Sequence, residues 1–423
     1  MSLRLAALAA AVCAGVPAAT VSAQGGRTCF VVVDRTGGVQ QQVDVGGGHV
    51  RWYSGGGVWA HCRGQATSWY SDSVAWYQDQ DRFEMIGHVD FRDSTARLVA
   101  DRATYYLGQE RLDANGNARL RNVASGSILR GPTLTYLRRI PVVRETTELN
   151  ACRRPTIEYR SASDPADAEP YVIVADCVWL LGNSATRARG QVTIDRTDFH
   201  ARGDSATLDT DLGVGQLFGN ASVSGGEAAS YRLTGRDVRF RLAERALVWV
   251  QAEGNADAVS AEWRLVADTV QFDLRDDRIQ RGNAWGDSLR PEATSLATVM
   301  VADSLAISSP DQVLDEVRGI GAAHARSRQD TTDTDPDWVA GDTVTARFEM
   351  GQAGGRTLSE VLALGNARAR YRVYAPGRAD GLPDLSYSRG DRILARFADE
   401  RLLRVDVTGN ADGVYLEAPR RVP

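Results

Sequence analysis

Apolar and polar residues alternate in short runs along most of the chain, and many of these runs open in the same way. An Asp is followed by apolar residues two and four positions later, as in Asp101 with Ala103 and Tyr105. A period of two is that of a β-strand with one buried face. The outline recurs at Asp72, Asp101, Asp176, Asp204, Asp268, Asp303, Asp342 and Asp391, and with another first residue at Pro132 and Arg236.

A Gly followed by a polar and then an apolar residue marks the second half of each unit. Gly can adopt a positive φ or form a bulge, and Asn tolerates the left-handed region beside it. We expect two or three short strands per unit, with the Gly turning the chain into another layer and the Asp at the rim. The copies begin at Gly87, Gly116, Gly190, Gly219, Gly254, Gly282, Gly365 and Gly409, with a degenerate one at Gly319.

The units repeat at a spacing of about 28 to 45 residues, which is typical of stacked architectures in which each unit buries its apolar face against its neighbours. β-Propellers repeat at similar spacings, but these units are too short to hold four strands and their turns. No long run has the period of an α-helix. The sequence therefore predicts an all-β, elongated roll of stacked antiparallel strands, built from repeated strand-turn-strand units.

The first residues differ from the repeats and are typical of a secretory signal peptide. Arg4 precedes an apolar run over residues 5–16, and small residues at 21–23 have the spacing that signal peptidase requires. A retained anchor is the alternative, although the run is interrupted too early to span a bilayer. We expect residues 1–23 to be removed, leaving an exported chain without a transmembrane segment.

The rhythm of the repeats breaks between residues 137 and 170, and a second irregular stretch, residues 327–337, is expected to be an exposed loop inside the second region. The end of the first stretch, residues 161–170, is rich in small, acidic and proline residues, as loops and linkers are. We therefore expect a first module over residues 24–160, a linker or loop over 161–170, and a second, longer region over 171–423.

Four of the five cysteines remain after residue 23: Cys29, Cys62, Cys152 and Cys177. An even number of cysteines in an exported chain favours disulfides. Three pairings are possible, and we favour Cys29 with Cys62 and Cys152 with Cys177 because each pair brackets one local segment. Zinc is the rival interpretation, but the chain has no C-x-x-C spacing.

Charge and motifs exclude several classes of function. Every one of the 49 basic residues is Arg, the formal net charge is -5, and charges of both signs are interspersed, so no basic face for a nucleic acid is expected. The motifs of serine hydrolases, zinc proteases and phosphate-binding loops are absent, and the five His share no spacing. We expect no catalysis, no cofactor and no metal site.

The repeated units resemble the OstA/LptA family of periplasmic lipopolysaccharide-transport proteins and the related N-terminal domain of the outer-membrane assembly protein. The resemblance is clearest over residues 45–160, with weaker copies up to 416. It is carried by the segments "GGGHVRWYSGGGVWAHCRGQATSWYSDSVAWY", "FEMIGHVDFRDSTARLVADRATYYL", "LDANGNARL", "LRGPTLTYL" and "LNACRRPTIEY".

The resemblance implies a V-shaped, open β-jellyroll whose apolar groove holds lipid acyl chains. It implies a periplasmic protein that carries lipopolysaccharide or a similar glycolipid toward the outer membrane, as part of a bridge of like-folded proteins joined by edge-strand pairing. Small Ala residues at many inward positions are consistent with a trough between the layers. The groove candidates are the inward residues Val74, Trp76, Val89, Phe91, Ala103, Tyr105, Leu120, Leu134 and Tyr136.

Two other interpretations of the same residues stay open. The inward apolar residues of any strand serve first to pack against each other, so each candidate can be plain core. The whole chain can also be a non-catalytic periplasmic or surface β-repeat scaffold that binds only protein partners.

Overall fold

The protein is described by a computed structural model that covers residues 29–160, 165, 167–182, 184–225, 231–295, 298–327, 336–351, 356–373, 383–398 and 401–418. The expected signal peptide, residues 1–23, lies outside these ranges, as do 161–164 and 166 of the expected linker and 328–335 of the expected loop. Within them the chain forms antiparallel strands, three short 3-10 turns and no α-helix. No helix in this part of the chain has the length and apolar character that a membrane span requires.

The strands of the first half of the chain are β1 (Val31–Thr36), β2 (Gln40–Asp44), β3 (Val50–Ser54), β4 (Val58–Cys62), β5 (Ser68–Ser71), β6 (Ser73–Tyr77), β7 (Arg82–Arg92), β8 (Ala96–Tyr106), β9 (Arg111–Asn122), β10 (Ile128–Leu137), β11 (Glu148–Cys152), β12 (Thr156–Tyr159), β13 (Tyr171–Val174), β14 (Cys177–Leu181), β15 (Ala185–Arg196) and β16 (Phe199–Asp209).

Those of the second half are β17 (Val214–Gly225), β18 (Tyr231–Ala243), β19 (Ala246–Ser260), β20 (Trp263–Arg275), β21 (Arg278–Trp285), β22 (Glu292–Ser295), β23 (Thr298–Val301), β24 (Ser304–Ser308), β25 (Glu316–Ser327), β26 (Trp338–Met350), β27 (Arg356–Val373), β28 (Asp384–Ala398), β29 (Arg401–Thr408) and β30 (Asp412–Leu416).

Most of the long strands bend sharply in the middle, and the bend comes from a bulge at the repeated Gly. In β7, Ile86 pairs with Arg102 and Val89 with Ala100, so that two residues of β7 face the single Asp101 of β8. The bulged pair, Gly87 and the residue after it, has φ values of 77° and 42°. A Gly followed by a residue in the left-handed region re-aims the strand without ending its hydrogen-bonded ladder.

The repeated Asp lies against the repeated Gly of the next strand. A Cβ on Gly116 would lie 2.4 Å from Oδ2 of Asp101, and Nδ2 of Asn117 donates a hydrogen bond to the same oxygen at 2.9 Å. These contacts form a row across the strands, which we call the bend line. Its other pairs are Asp72 with Gly87, Asp176 with Gly190, Asp204 with Gly219, Asp303 with Gly321, Asp342 with Gly365 and Asp391 with Gly409.

Two details of the repeat differ from the expectation. Five of the repeated Asp residues lie inside a long bent strand rather than at its start, because the bulge keeps both halves of the strand paired: Asp101, Asp204, Asp268, Asp342 and Asp391. The other three open a strand as expected, since Asp72, Asp176 and Asp303 immediately precede β6, β14 and β24. Gly282 has no positive φ and stays in the ladder beside the ring of Phe272, while Gly286 lies against Asp268 instead.

The bends fold the strands into two facing layers. Trp263 and Phe272 belong to one strand and are nine positions apart, which is about 30 Å in an extended chain, yet their ring centroids are 5.6 Å apart. Trp69 contacts both Phe83 and Phe91, which lie on the two halves of β7, at 5.3 and 6.2 Å. We call the layer that contains Phe91 the first layer and the layer that contains Phe83 the second layer.

Inward side chains of both layers form one apolar core along the described residues. Large rings cover the small residues beside them: a Cβ on Gly215 would lie 2.2 Å from the ring of Phe240. The volume that small inward residues leave is therefore filled by neighbouring rings, and the trough expected from the Ala residues is packed at these places. The all-β jellyroll of stacked antiparallel strands is confirmed.

Strand pairing continues past the expected module boundary. In the second layer β11 pairs with β14, and in the first layer β12 pairs with β13, so both ladders pass the segment 161–170. The division into two modules stays a prediction. Disulfides join Cys29 to Cys62 and Cys152 to Cys177, which is the pairing favoured from the sequence.

Candidate functional site

The cleft between the two layers is the candidate site, because it is where the apolar interior of the roll reaches the surface. The bend line closes one side of the cleft. The opposite side, which we call the mouth, is formed by the hairpin turns of the two layers. These include residues 93–95 and 123–127 of the first layer and 107–110, 138–147, 182 and 184 of the second.

A buried polar cluster joins the layers across one part of the mouth; we call it the first clamp. The Tyr136 hydroxyl donates to Oδ2 of Asp93 at 2.9 Å and lies 2.8 Å from Oγ1 of Thr95, so the second layer is bonded to a first-layer turn. Nε of Arg138 lies 3.3 Å from the Asp93 carboxylate, and its Nη1 lies 2.6 Å from Glu110.

The electrostatics of the first clamp favour its closed form. Both carboxylates are almost fully buried and share the one guanidinium. Burial opposes the charge of Arg138, but Tyr105 and Glu110 outweigh it and hold the pKa of Arg138 above its ordinary value. Burial also raises the pKa of the Tyr105 hydroxyl, which donates to Glu110. Arg138 therefore stays charged, and the Tyr105 hydroxyl keeps its proton, around neutral pH.

A second clamp crosses the mouth farther along the chain. Nη1 of Arg196, at the end of β15 in the first layer, donates to the carbonyl of Arg245 at 2.7 Å, in the turn between β18 and β19 of the second layer. The Tyr171 hydroxyl donates to the same carbonyl at 2.8 Å, and Asp198 pairs with Arg196. Burial raises the pKa of Tyr171 to about 12, so its hydroxyl keeps its proton.

Between the two clamps the mouth opens into a pocket of about 70 Å³. Its floor is apolar and its entrance carries hydroxyl groups, and none of the residues that line it is charged. The lining residues of the first layer are Thr95, Ala96, Leu120, Asn122, Ser125, Ser127, Ile128, Leu129, Ile157 and Tyr159, and those of the second are Tyr136, Thr147, Leu149, Leu180, Gly182, Ala185 and Thr186.

The chemistry of this pocket suits one apolar chain with uncharged polar groups near the surface. Its volume is below the ~300–1,000 Å³ of pockets that enclose whole small molecules. An ionised group that moved from water into this pocket would find no charged partner, so its desolvation would cost much free energy. An apolar ligand chain that extends beyond the pocket into the interior has to separate the two layers.

A second, smaller opening of about 20 Å³ lies between the layers farther along the chain. Trp263, Met300 and Ala293 line it from the first layer, and Leu314 and Phe348 from the second. Its lining is mainly apolar as well. The interior thus reaches the mouth at two places along the roll.

The residues predicted for the groove all lie between the layers or at their edge. Leu120 and Tyr136 line the larger pocket, and Tyr136 is also part of the first clamp. Trp76 is partly exposed and packs against the core. The remaining candidates are buried in the core at Val74, Val89, Phe91, Ala103, Tyr105 and Leu134.

Sequence reasoning missed most of the residues that build the pocket. Leu149 and Ile157 alternate with polar neighbours in β11 and β12, but they lie in the stretch where the repeat motif is absent, so only the local period of two signals them. The clamp residues Asp93, Glu110 and Arg138 lie at strand ends and turns, where charged residues ordinarily face solvent. Nothing in the local pattern distinguishes them.

Among the described residues, no group of three or more His, Cys, Asp or Glu side chains is placed to hold a metal ion. The four cysteines among the described residues are joined in two disulfides, which fits an oxidising compartment. The arrangement can bind and enclose an apolar chain, and the clamps can fasten or release the layers that enclose it.

The fold and cleft define a class of protein: a two-layered all-β roll with a clamped apolar interior. A solved structure of LptH, the LptA-homologous periplasmic component of the lipopolysaccharide transport device of Pseudomonas aeruginosa, is similar over 33% of this chain and 93% of that chain. The two are 17% identical, with a TM-score of 0.25. No family model matches the sequence, and no curated protein matches it.

Proposed function

We propose that this protein binds lipopolysaccharide or a similar glycolipid by its acyl chains in the cleft between the layers and carries it through the periplasm toward the outer membrane. The observation that carries the proposal is the uncharged pocket between the two clamps, where the apolar interior opens to the surface. The resemblance of the repeated units to the OstA/LptA family gives the glycolipid as the cargo and a bridge of like-folded proteins as the setting.

Binding begins at the pocket and continues by separation of the layers. Each methylene moved from water to the interior contributes about 0.8 kcal/mol. The layers are continuous at the bend line and bonded at the clamps, so opening is a rotation about the bend line. The clamps therefore determine the free energy that lipid binding must supply to separate the layers.

Filling the entrance tests the proposal. Ala185 lines the pocket and is only partly buried, so Ala185→Trp narrows the entrance without entering the core, and Ala185→Ser is the matched control. The measurement is lipid co-purified with the protein from the periplasm of a host that makes lipopolysaccharide, identified by mass spectrometry. We expect glycolipid with the control and a several-fold loss with Ala185→Trp. Absence of lipid from the unaltered protein would contradict the proposal.

One observation also suits a scaffold that binds only protein. The edge strands β2 and β30 are exposed along their whole length, and unpaired edges of this kind add strands from partner chains. A bridge protein needs the same edges, so this feature does not separate the two functions. The lipid measurement does, because a scaffold carries none.

A further inference from the structure

A tight turn beside the pocket presents two bare apolar side chains to solvent. Val142 is 93% exposed and Val143 is 78% exposed. They lie in residues 139–145, between β10 and β11, which we call the arginine-flanked tip. Tyr136 before the tip and Thr147 after it both line the pocket, so the tip stands at the pocket's entrance.

The tip is held rigidly in this conformation. Ile140 and Arg144 exchange backbone hydrogen bonds at 3.0 and 2.8 Å, and Glu145 accepts the Val142 amide at 2.9 Å. Nε of Arg144 donates to the carbonyl of Arg138 at 2.8 Å, which ties the tip to the first clamp. Val142 has a φ of 73°, a conformation in which a β-branched residue is strained. Strain of this kind concentrates at functional sites.

We propose that the arginine-flanked tip inserts its two valines into the surface of an anionic lipid bilayer and so places the pocket entrance against the membrane. A pair of protruding apolar residues is too small for a stable protein interface, which buries about 800 Å² on each partner. The tip holds two Arg, Arg139 and Arg144, and one Glu, a net positive charge that complements anionic headgroups. Apolar residues flanked by arginines suit the boundary between headgroups and acyl chains.

This inference rests on the proposed function in one respect: membrane contact at the pocket entrance lets an acyl chain pass from bilayer to cleft without crossing water. The ligand of the tip is the lipid surface itself, whereas the ligand of the cleft is a single amphiphile. The two can therefore be measured separately.

Flotation with lipid vesicles tests the tip. The protein, purified from the periplasm of an expression host, is mixed with vesicles of phosphatidylcholine alone or of equal parts phosphatidylcholine and phosphatidylglycerol. We expect Val142→Asp with Val143→Asp to lower binding to the mixed vesicles about tenfold or more, because two apolar groups are lost and charge is added. Val39→Asp is the matched control, since Val39 is 88% exposed and lies far from the mouth, and it leaves binding unchanged.

A second variant separates charge from insertion. Arg139 is exposed and pairs with Glu145 at 3.4 Å. Arg139→Gln lowers binding to the mixed vesicles and leaves the weak binding to phosphatidylcholine vesicles unaltered. A dye sensitive to polarity, attached to Val142→Cys, shifts to shorter wavelength on adding mixed vesicles, and the same dye on Val39→Cys does not.

The proposal is overturned if the unaltered protein does not float with mixed vesicles, or if the double valine variant and Val39→Asp float equally. Uptake of a fluorescent lipid from detergent micelles reports on the cleft alone. Loss of uptake in Ala185→Trp with intact flotation confirms that the two sites are distinct. A protein that takes up no lipid from micelles yet floats through its tip would contradict the proposed function and leave the tip's role standing.

Discussion

At the scale of single residues, one contact explains why Asp and Gly recur along the chain. A Cβ on Gly116 would lie 2.4 Å from the Asp101 carboxylate, and φ at Gly116 is 75°. Only Gly tolerates both the positive φ and the close carboxylate without strain. Asn117 completes the contact by donating a hydrogen bond to the same carboxylate. The sequence predicted the special backbone at the Gly and Asn, because both residue types favour it. It could not predict that the Asp packs on the Gly, because that contact joins neighbouring strands.

Comparing Ala substitutions at two glycines separates the cost of the positive φ from the cost of the clash with Asp101. Gly116→Ala lowers the free energy of unfolding by about 3 kcal/mol or more, from the left-handed backbone and the clash together. Gly126→Ala is the control, since Gly126 has a φ of 72° with nothing within 4 Å of the added Cβ, and it costs about 1 kcal/mol. Urea denaturation measures both. Adding Asp101→Ala to Gly116→Ala recovers part of the loss, and no recovery would contradict the contact.

The first bend contact makes a prediction about pH. A hydrogen bond from His88 lowers the pKa of Asp72, and the same bond raises the pKa of His88. The His88 contribution to stability is therefore complete below the pKa of the unfolded chain and is lost as pH rises through the folded pKa. That of Asp72 is lost as pH falls through its own folded pKa. The pair stabilises the fold most between about pH 4 and 6.5.

Titration of the histidine ring by NMR checks this pairing. Asp72→Asn brings the pKa of His88 down toward the ordinary value of about 6.5. An unaltered titration curve in the variant would show that the ring and the carboxylate do not interact in solution.

At the scale of elements, the first clamp holds two layers that are otherwise joined by packing and by the bend line. Arg138 lies between the buried Asp93 and Glu110 and touches both layers. Amphipathic strands were predictable from their period of two, but a clamp assembled from turns that are distant in sequence was not. Charged residues in turns have the same local pattern whether they face solvent or a partner layer.

Removing the guanidinium tests the clamp. Arg138→Met leaves two buried carboxylates without their counter-ion and lowers the free energy of unfolding by about 3 to 5 kcal/mol. Arg139→Met is the matched control at the next position, where the ion pair with Glu145 is exposed and contributes at most about 1 kcal/mol. Equal losses in the two variants, measured by urea denaturation, would contradict a buried clamp.

The clamp also predicts a functional effect. Without the clamp, less free energy is needed to separate the layers. At a temperature where the variant is folded, we therefore expect Arg138→Met to take up lipid from micelles faster than the unaltered protein. Stopped-flow fluorescence with a labelled lipid measures the rate. Slower uptake would show that the clamp shapes the entrance rather than closing it.

At the scale of the whole molecule, the repeated bend produces a continuous two-layered roll that ends in exposed strands. Both ladders run past the segment where the repeat motif is lost, because β11 and β12, which carry no repeated Asp or Gly, still pair with β14 and β13. The all-β class and the stacking followed from the repeat alone. The filling of the interior did not, because it depends on how far rings such as Phe240 extend over small neighbours.

The central claim is that a lipid chain enters between the layers at the pocket, and a photo-crosslinking residue in place of Leu149 tests it most directly. Leu149 is buried and lines the pocket, whereas Val39 is exposed and far from it. In cells that make lipopolysaccharide, irradiation is expected to give a glycolipid adduct at position 149 and none at 39. Adducts with protein alone, or no adduct at position 149, would contradict the account.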